Sequence, residues 1–296
     1  MSDRSRPSAH AFDPEVLRLF DQYVHGFIDR RGFLAGATRC AAGAAGLLAA
    51  LSPRFAEAQQ VRPDDARLAA RRVEFDSPDG HGKGGGYLVR PAKAEGKLPL
   101  VLVIHENRGL NPHIEDVTRR LALEGYIALA PDALFPLGGY PGDEDAARAL
   151  FQQLDQSKAF ADFIAAVGVL EREPGGNGRL GMTGFCYGGL ITNRLATRLP
   201  QLRAAVPFYG AAPPSEDVAR IKAELLVVLA ANDERVNASW PAYREALDAA
   251  GVKYALYQPD GTQHGFNNDT TPRYDKAAAS EAWQRMLALF DRRLRA

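Results

Sequence analysis

The sequence predicts an α/β chain: a mostly parallel, twisted sheet with helices on both faces. Three observations carry that expectation. Short apolar runs such as LPLVLVI at 98–104 are bounded by proline and charge, as strands buried on both faces require. Segments of helical period alternate with them, the pattern that right-handed crossovers between parallel strands produce. The chain has 296 residues, 46% of them hydrophobic, enough for one large core.

The elements follow in order. Residues 72–90 alternate polar and apolar around GHGKGGGYLVR and read as two antiparallel strands. Those glycines are followed by a strand, whereas a dinucleotide fingerprint opens a helix, so nucleotide binding is not expected. Leu98 to Glu106 is the central strand and its end, Val117 to Gly125 a helix with a glycine stop, and Tyr126 to Asp132 the next strand. Asp143 to Leu170 reads as one long helix or a pair. Arg179 to Phe185, Ala204 to Gly210 and Glu224 to Asp233 are further strands, with a helix after the first of them. A helix at 238–251, the strand VKYALYQ and a helix ending near Leu294 close the domain. In such sheets ligands bind beyond the C-terminal ends of the strands, so chemistry is expected just after each apolar run.

Lys plus Arg equals Asp plus Glu at 36 each, which argues against nucleic acid or an anionic membrane as the main partner. With two cysteines, Cys40 and Cys186, a disulfide scaffold is implausible.

The N-terminus reads as an address. DRRGFLAG at 29–36 resembles a twin-arginine export signal; a weakly apolar run to Leu51 follows, and Ala56 and Ala58 form an A-x-A cleavage site. The expected organisation is an export signal over 1–58, a linker over 59–71 and the α/β domain over 72–296, with the export machinery as a partner and a periplasmic destination. A chain in which the signal is absent would stay cytoplasmic. A membrane anchor is not expected, because Arg39 interrupts the run at a cost of about 2.5–3.5 kcal/mol in a bilayer centre. The alternative is that this segment folds with the domain, since VLRLFDQYVHGFI at 16–28 has amphipathic helical character.

The strongest chemical signal is GFCYGG at 184–189. It has the form G-x-nucleophile-x-G between a strand and a helix: the nucleophile elbow of the α/β-hydrolase fold, with a thiol for the usual hydroxyl. The turn lifts Cys186 to a helix N-terminus, whose dipole favours the thiolate. Asp233 follows ELLVVLAAN and His264 lies in DGTQHGF after the next strand. The order nucleophile, acid, histidine is that of the fold, with His264 as base and Asp233 orienting it. The backbone amides of Asn107, in HENRGL, and of Tyr187 are the candidate oxyanion donors. His113 lies eight residues after His105, so H-E-x-x-H fails and no metal or cofactor is expected.

On the motifs IHENRGL, APD, GFCYGG, ANDERV and HGF, residues 72–295 resemble the dienelactone hydrolase family, the carboxymethylenebutenolidases. The resemblance implies the triad Cys186, Asp233 and His264, and a carboxylate, Glu106, that contacts the resting thiol. It also exposes a departure. Two arginines that bind the substrate carboxylate in dienelactone-cleaving members correspond here to Pro136 and Asn268, leaving Arg108, Arg235 and Arg273 as candidate substitutes. The expected reaction is cleavage of a small-molecule ester or lactone through a thioester. The alternatives are a general carboxylesterase on neutral esters and a small-molecule-binding homologue without turnover. A thiol redox protein would need a resolving cysteine, and Cys40 lies in the expected signal segment.

Overall fold

A computed structural model describes residues 9–40, 44–51 and 59–295. Eight strands form one sheet: β1 (Leu68–Ser77), β2 (Gly82–Pro91), β3 (Leu98–Ile104), β4 (Ile127–Pro131), β5 (Gly176–Phe185), β6 (Leu202–Phe208), β7 (Glu224–Val228) and β8 (Tyr254–Tyr257). Their spatial order is β1-β2-β4-β3-β5-β6-β7-β8. The β1–β2 and β2–β4 pairs are antiparallel and every later pair is parallel.

Strand β3 is wholly buried, and its alternate side chains serve two cores. Leu100, Leu102 and Ile104 face one layer, with α6 (Gln156–Glu171), α7 (Tyr187–Ala196) and α9 (Trp240–Ala249). Val101 and Val103 face the other, with α4 (Pro112–Leu123) and α10 (Lys276–Phe290). This period-two division is why the run reads as apolar throughout. The segment 143–170 divides into α5 (Glu144–Phe151) and α6, each capped by an aspartate, Asp143 and Asp155. Helix α4 begins earlier than its periodicity predicts, because Asn111 caps it through Ile114 N and Pro112 fills the first turn.

The domain also begins earlier than residue 72. Strand β1 starts at Leu68, and Val61 is tied in by its N–H to Asp116 Oδ1 (2.8 Å) and by its carbonyl to Arg119 Nε (2.9 Å). The expected linker is thus fastened to α4.

Ahead of it, α1 (Pro14–Val24), α2 (Arg30–Ala37) and α3 (Ala44–Leu51) form a third, separate core around Phe20, Tyr23, Phe33 and Leu51. The paired arginines Arg30 and Arg31 open α2, capped by Asp29. Ala56 and Ala58, the expected cleavage site, lie outside the described residues. Among the described residues no helix is long and apolar enough to cross a membrane.

Candidate active site

Strand β5 delivers Cys186 to the start of α7. Cys186 has φ 55° and ψ −111°, a left-handed backbone that costs a non-glycine residue about 1–3 kcal/mol. The turn is tight on all sides. A Cβ on Gly184 would lie 2.2 Å from the Gly188 carbonyl oxygen, and one on Gly188 would lie 2.2 Å from that of Ile104. Only glycine lets α7 cross strands β5 and β3 at this distance.

Asp233 lies beyond the end of β7, and His264 in the loop after β8. His264 Nδ1 lies 2.5 Å from Asp233 Oδ2, both side chains being buried. Facing a carboxylate, Nδ1 carries the proton, which leaves Nε2 for the thiol. His264 Nε2 is buried and has no hydrogen-bond partner among the described residues.

A residue that was absent from the sequence-derived site completes the arrangement. His25, at the end of α1, places Nε2 3.3 Å from Cys186 Sγ. A ring nitrogen of His25, a ring nitrogen of His264 and Cys186 Sγ all lie within 4.8 Å of one another. That is a donor set with which zinc or another soft cation is compatible. The sequence signal was the amphipathic helix ending in His25-Gly26. Its 161-residue separation from Cys186 gave no reason to join the two.

These contacts set the charges. Burial opposes ionisation of Cys186, but the charges of His264 and His25 outweigh it and bring the thiol down to about 6. Burial likewise opposes a charged His264, but the Cys186 charge and the Asp233 hydrogen bond lift it to about 10. The pair therefore rests as thiolate and imidazolium around neutrality. His25 is raised in the same sense, against its burial, chiefly by Cys186 and by Asp21.

Glu106, Asn107, Arg108 and Arg273 line a cavity of about 390 Å³ together with Cys186 and His264. Glu106 Oε2 accepts from Asn268 Nδ2 at 2.9 Å, whereas the sulfur's hydrogen-bond partner is His25. The Asn268 amide is oriented by Thr270, whose N–H and hydroxyl both donate to its Oδ1. An amide thus stands where the family resemblance led us to expect an arginine, and it holds Glu106. Tyr187, as first residue of α7, has a backbone N–H with no carbonyl one turn earlier to bind. The Asn107 side chain faces the N-terminal helices, donating to Val24 O at 3.0 Å. Buried His105 fastens the β3 and β4 ends, its Nε2 accepting from Ala133 N at 3.0 Å.

Of the candidate arginines, Arg108 and Arg273 reach the cavity and Arg235 does not line it. Arg108 is held by Asn107 and Val24 O and lies 3.5 Å from Glu144. Arg273 lies 3.5 Å from Asp21, while its Nε and Nη1 make no hydrogen bond among the described residues. Arg235 Nη2 sits 2.9 Å from His25 Nε2.

The chain is similar to several known proteins. Residues 85–294 match the model of the dienelactone hydrolase family. Residues 4–43 match a second model, described as YqhI-like. An Escherichia coli K12 protein named "Putative carboxymethylenebutenolidase" is 35% identical over 261 residues, covering 83% of this chain and 94% of its own. A shorter E. coli K12 sequence, "Putative hydrolase fragment YghX", is 57% identical over 105 residues, covering 36% of this chain and 90% of its own. The crystal structure of a "Putative Dienelactone Hydrolase" from Klebsiella pneumoniae is 33% identical, with a TM-score of 0.65, covering 75% of this chain and 98% of its own. The chain therefore belongs to the dienelactone hydrolase family, with the α/β-hydrolase fold, and is a hydrolase of carboxylic ester or lactone bonds.

Proposed function

We propose that the chain cleaves a small ester or lactone through a thioester on Cys186. The observation that carries this reading is the strained cysteine at a helix start facing an imidazole whose far nitrogen is held by Asp233. The thiolate attacks the carbonyl and the carbonyl oxygen becomes an oxyanion, met by the Tyr187 and Asn107 amides. Collapse breaks the ester C–O bond, and the leaving oxygen takes the proton of the His264 imidazolium, which leaves that ring neutral. Water then attacks the thioester, its proton passing to His264, and the thiolate returns. Glu106, tied to Asn268, lines the cavity beside the thiolate without bonding to it.

The substrate we propose is a neutral ester or lactone. Both cavity arginines already face carboxylates, Arg108 towards Glu144 and Arg273 towards Asp21. The dienelactone reading rests on one observation, that Arg273 Nε and Nη1 make no hydrogen bond among the described residues. The test is a panel of neutral aryl esters, neutral lactones and a cis-dienelactone, assayed with the full chain and with Cys186→Ala. Neutral substrates should be turned over faster, and Cys186→Ala should lose activity on all of them. Equal activity in the two proteins would refute the thioester route, and a preference for the dienelactone would refute the neutral-substrate reading.

For the N-terminal segment we propose retention in the working enzyme. Its support is the packing of α1 against the cavity wall, where Phe20, Tyr23 and Val24 line the same space as Cys186. Export with removal of residues 1–58 is the rival fate. An intact mass of the native protein that begins near Gln59 would rule out retention.

A further inference from the structure

The contact between α1 and the elbow brings three ligand-type atoms to one point. His25 Nε2 lies 3.3 Å from Cys186 Sγ, and one nitrogen from each of His25 and His264 lies with the sulfur in a group no more than 4.8 Å across. Around a tetrahedral zinc, with bonds of about 2.0–2.1 Å to nitrogen and about 2.3 Å to sulfur, such atoms stand about 3.4–3.6 Å apart. The His25–Cys186 edge is close to that length already, and a turn of the His264 ring closes the others.

Both rings are set for ligation. His264 Nδ1 faces Asp233 Oδ2 at 2.5 Å, and His25 Nδ1 faces Asp21 O at 2.8 Å and Asp21 Oδ1 at 3.3 Å. Each Nδ1 therefore carries a proton, which leaves each Nε2 for a ligand. A carboxylate behind the far ring nitrogen is the outer arrangement typical of histidines that bind metals. His264 Nε2 is buried and has no hydrogen-bond partner among the described residues. His25 Nε2 accepts from Arg235 Nη2 at 2.9 Å, so its lone pair already faces a cation. Arg235 is exposed on a short helix, Glu234–Asn237, and its guanidinium is free to swing into solvent.

Helix α1 is fastened where it delivers His25. Gly26 follows in the left-handed conformation, φ 79°. Val24 O accepts from Asn107 Nδ2 (3.0 Å) and Arg108 Nη2 (3.1 Å), and Tyr23 O accepts from Arg148 Nη1 (2.8 Å). These donors meet the negative end of the helix dipole, so the third ligand is held before any ion arrives.

We propose that Cys186, His264 and His25 bind one thiophilic divalent cation, zinc, and that the bound ion silences the nucleophile. The Cys186 thiolate and the two Nε2 atoms donate to the ion. The proton on His264 Nε2 passes to solvent, Arg235 leaves His25, water takes the fourth position, and no oxidation state changes. The ion occupies the sulfur lone pair that attacks the carbonyl and the nitrogen that handles the proton, so hydrolysis stops until it is removed. The silencing rests on the thioester reading; the binding does not.

The test uses the untagged full chain in a Cys40→Ser background, so that Cys186 is the one thiol. Cobalt(II) reports the ligands, because a sulfur–cobalt bond gives a near-ultraviolet charge-transfer band. Zinc affinity is read by competition with a chromophoric chelator. The expected results are one equivalent of metal per chain, the charge-transfer band, and loss of ester turnover with zinc that a chelator restores. Cys186→Ala should abolish the band, and His25→Ala should weaken zinc binding by about 10²-fold. Arg235→Ala should tighten it severalfold, because nothing then competes for His25 Nε2; that readout stands if His25→Ala misfolds. Absence of the band, zinc affinity unchanged in a folded His25→Ala, affinity lowered in Arg235→Ala, or full turnover with zinc bound would each overturn the proposal. If Cys186→Ala hydrolyses esters as fast as its parent, the thioester reading fails, while the band still reports whether the sulfur binds metal.

Discussion

His264 and His25 both lie beside one sulfur and reach it by different routes. His264 comes from a loop between β8 and α10, and its carboxylate from the end of β7, so strand order within one sheet places both. His25 and Asp21 lie on one helix turn of a separate small core, and three enzyme-domain donors dock that helix's end. The first pair is fixed by the sheet itself, whereas the second depends on a docking contact between two independently built cores. A site made in both ways can keep its nucleophile and base while the second imidazole is lost or altered.

The largest test of that asymmetry is a pair of amide substitutions. Asp233→Asn should lower kcat by about 10³- to 10⁴-fold, because the amide favours the wrong tautomer of His264. Asp21→Asn should cost about tenfold, since the backbone carbonyl of Asp21 still holds His25 Nδ1. Equal losses in steady-state kinetics would break the comparison.

A second test moves backbone instead of charge. Gly188→Ala drives a Cβ against the Ile104 carbonyl and should unfold the elbow, with a large fall in the thermal midpoint. Gly26→Ala imposes the left-handed penalty on the helix end alone, about 1–2 kcal/mol, and brings its Cβ to 2.9 Å from the flexible Gln152 side chain. It should lower activity with little change in global melting.

The smallest effect is in pH dependence. With Cys186 near 6 and His264 near 10, kcat/KM should rise as pH increases through about 6 and fall above about 10. The acid limb reports loss of the thiolate by protonation, and the alkaline limb loss of the imidazolium proton; both belong to the coupled pair. His25→Gln removes a neighbour that favours the thiolate, so its acid limb should move to higher pH. An unmoved limb would make His25 a bystander.

Much of the site was legible because it obeys local rules. Glycine at 184 and 188 around a cysteine between strand and helix has one structural explanation, and Asp233 and His264 each follow a buried strand. Glu106 and Asn107 follow β3 for the same reason. What local rules do not carry is which residue touches the sulfur. That Asn268 holds Glu106 depends on Thr270 orienting an amide, and that Arg273 rather than Arg235 lines the cavity depends on where the α10 approach folds back. The resemblance to an export signal rested on Arg30, Arg31 and Phe33, and the structure puts these residues in a capped helix with its own core.

By itself, then, the sequence determined the parallel sheet, the elbow and the order of nucleophile, acid and base, because alternation, glycine clearance and strand ends are properties of neighbouring residues. Only the tertiary structure decided that a histidine 161 residues before the cysteine would join it. That contact arises from a helix C-terminus meeting three donors of another core, a match of charge and shape between distant segments that no local pattern records.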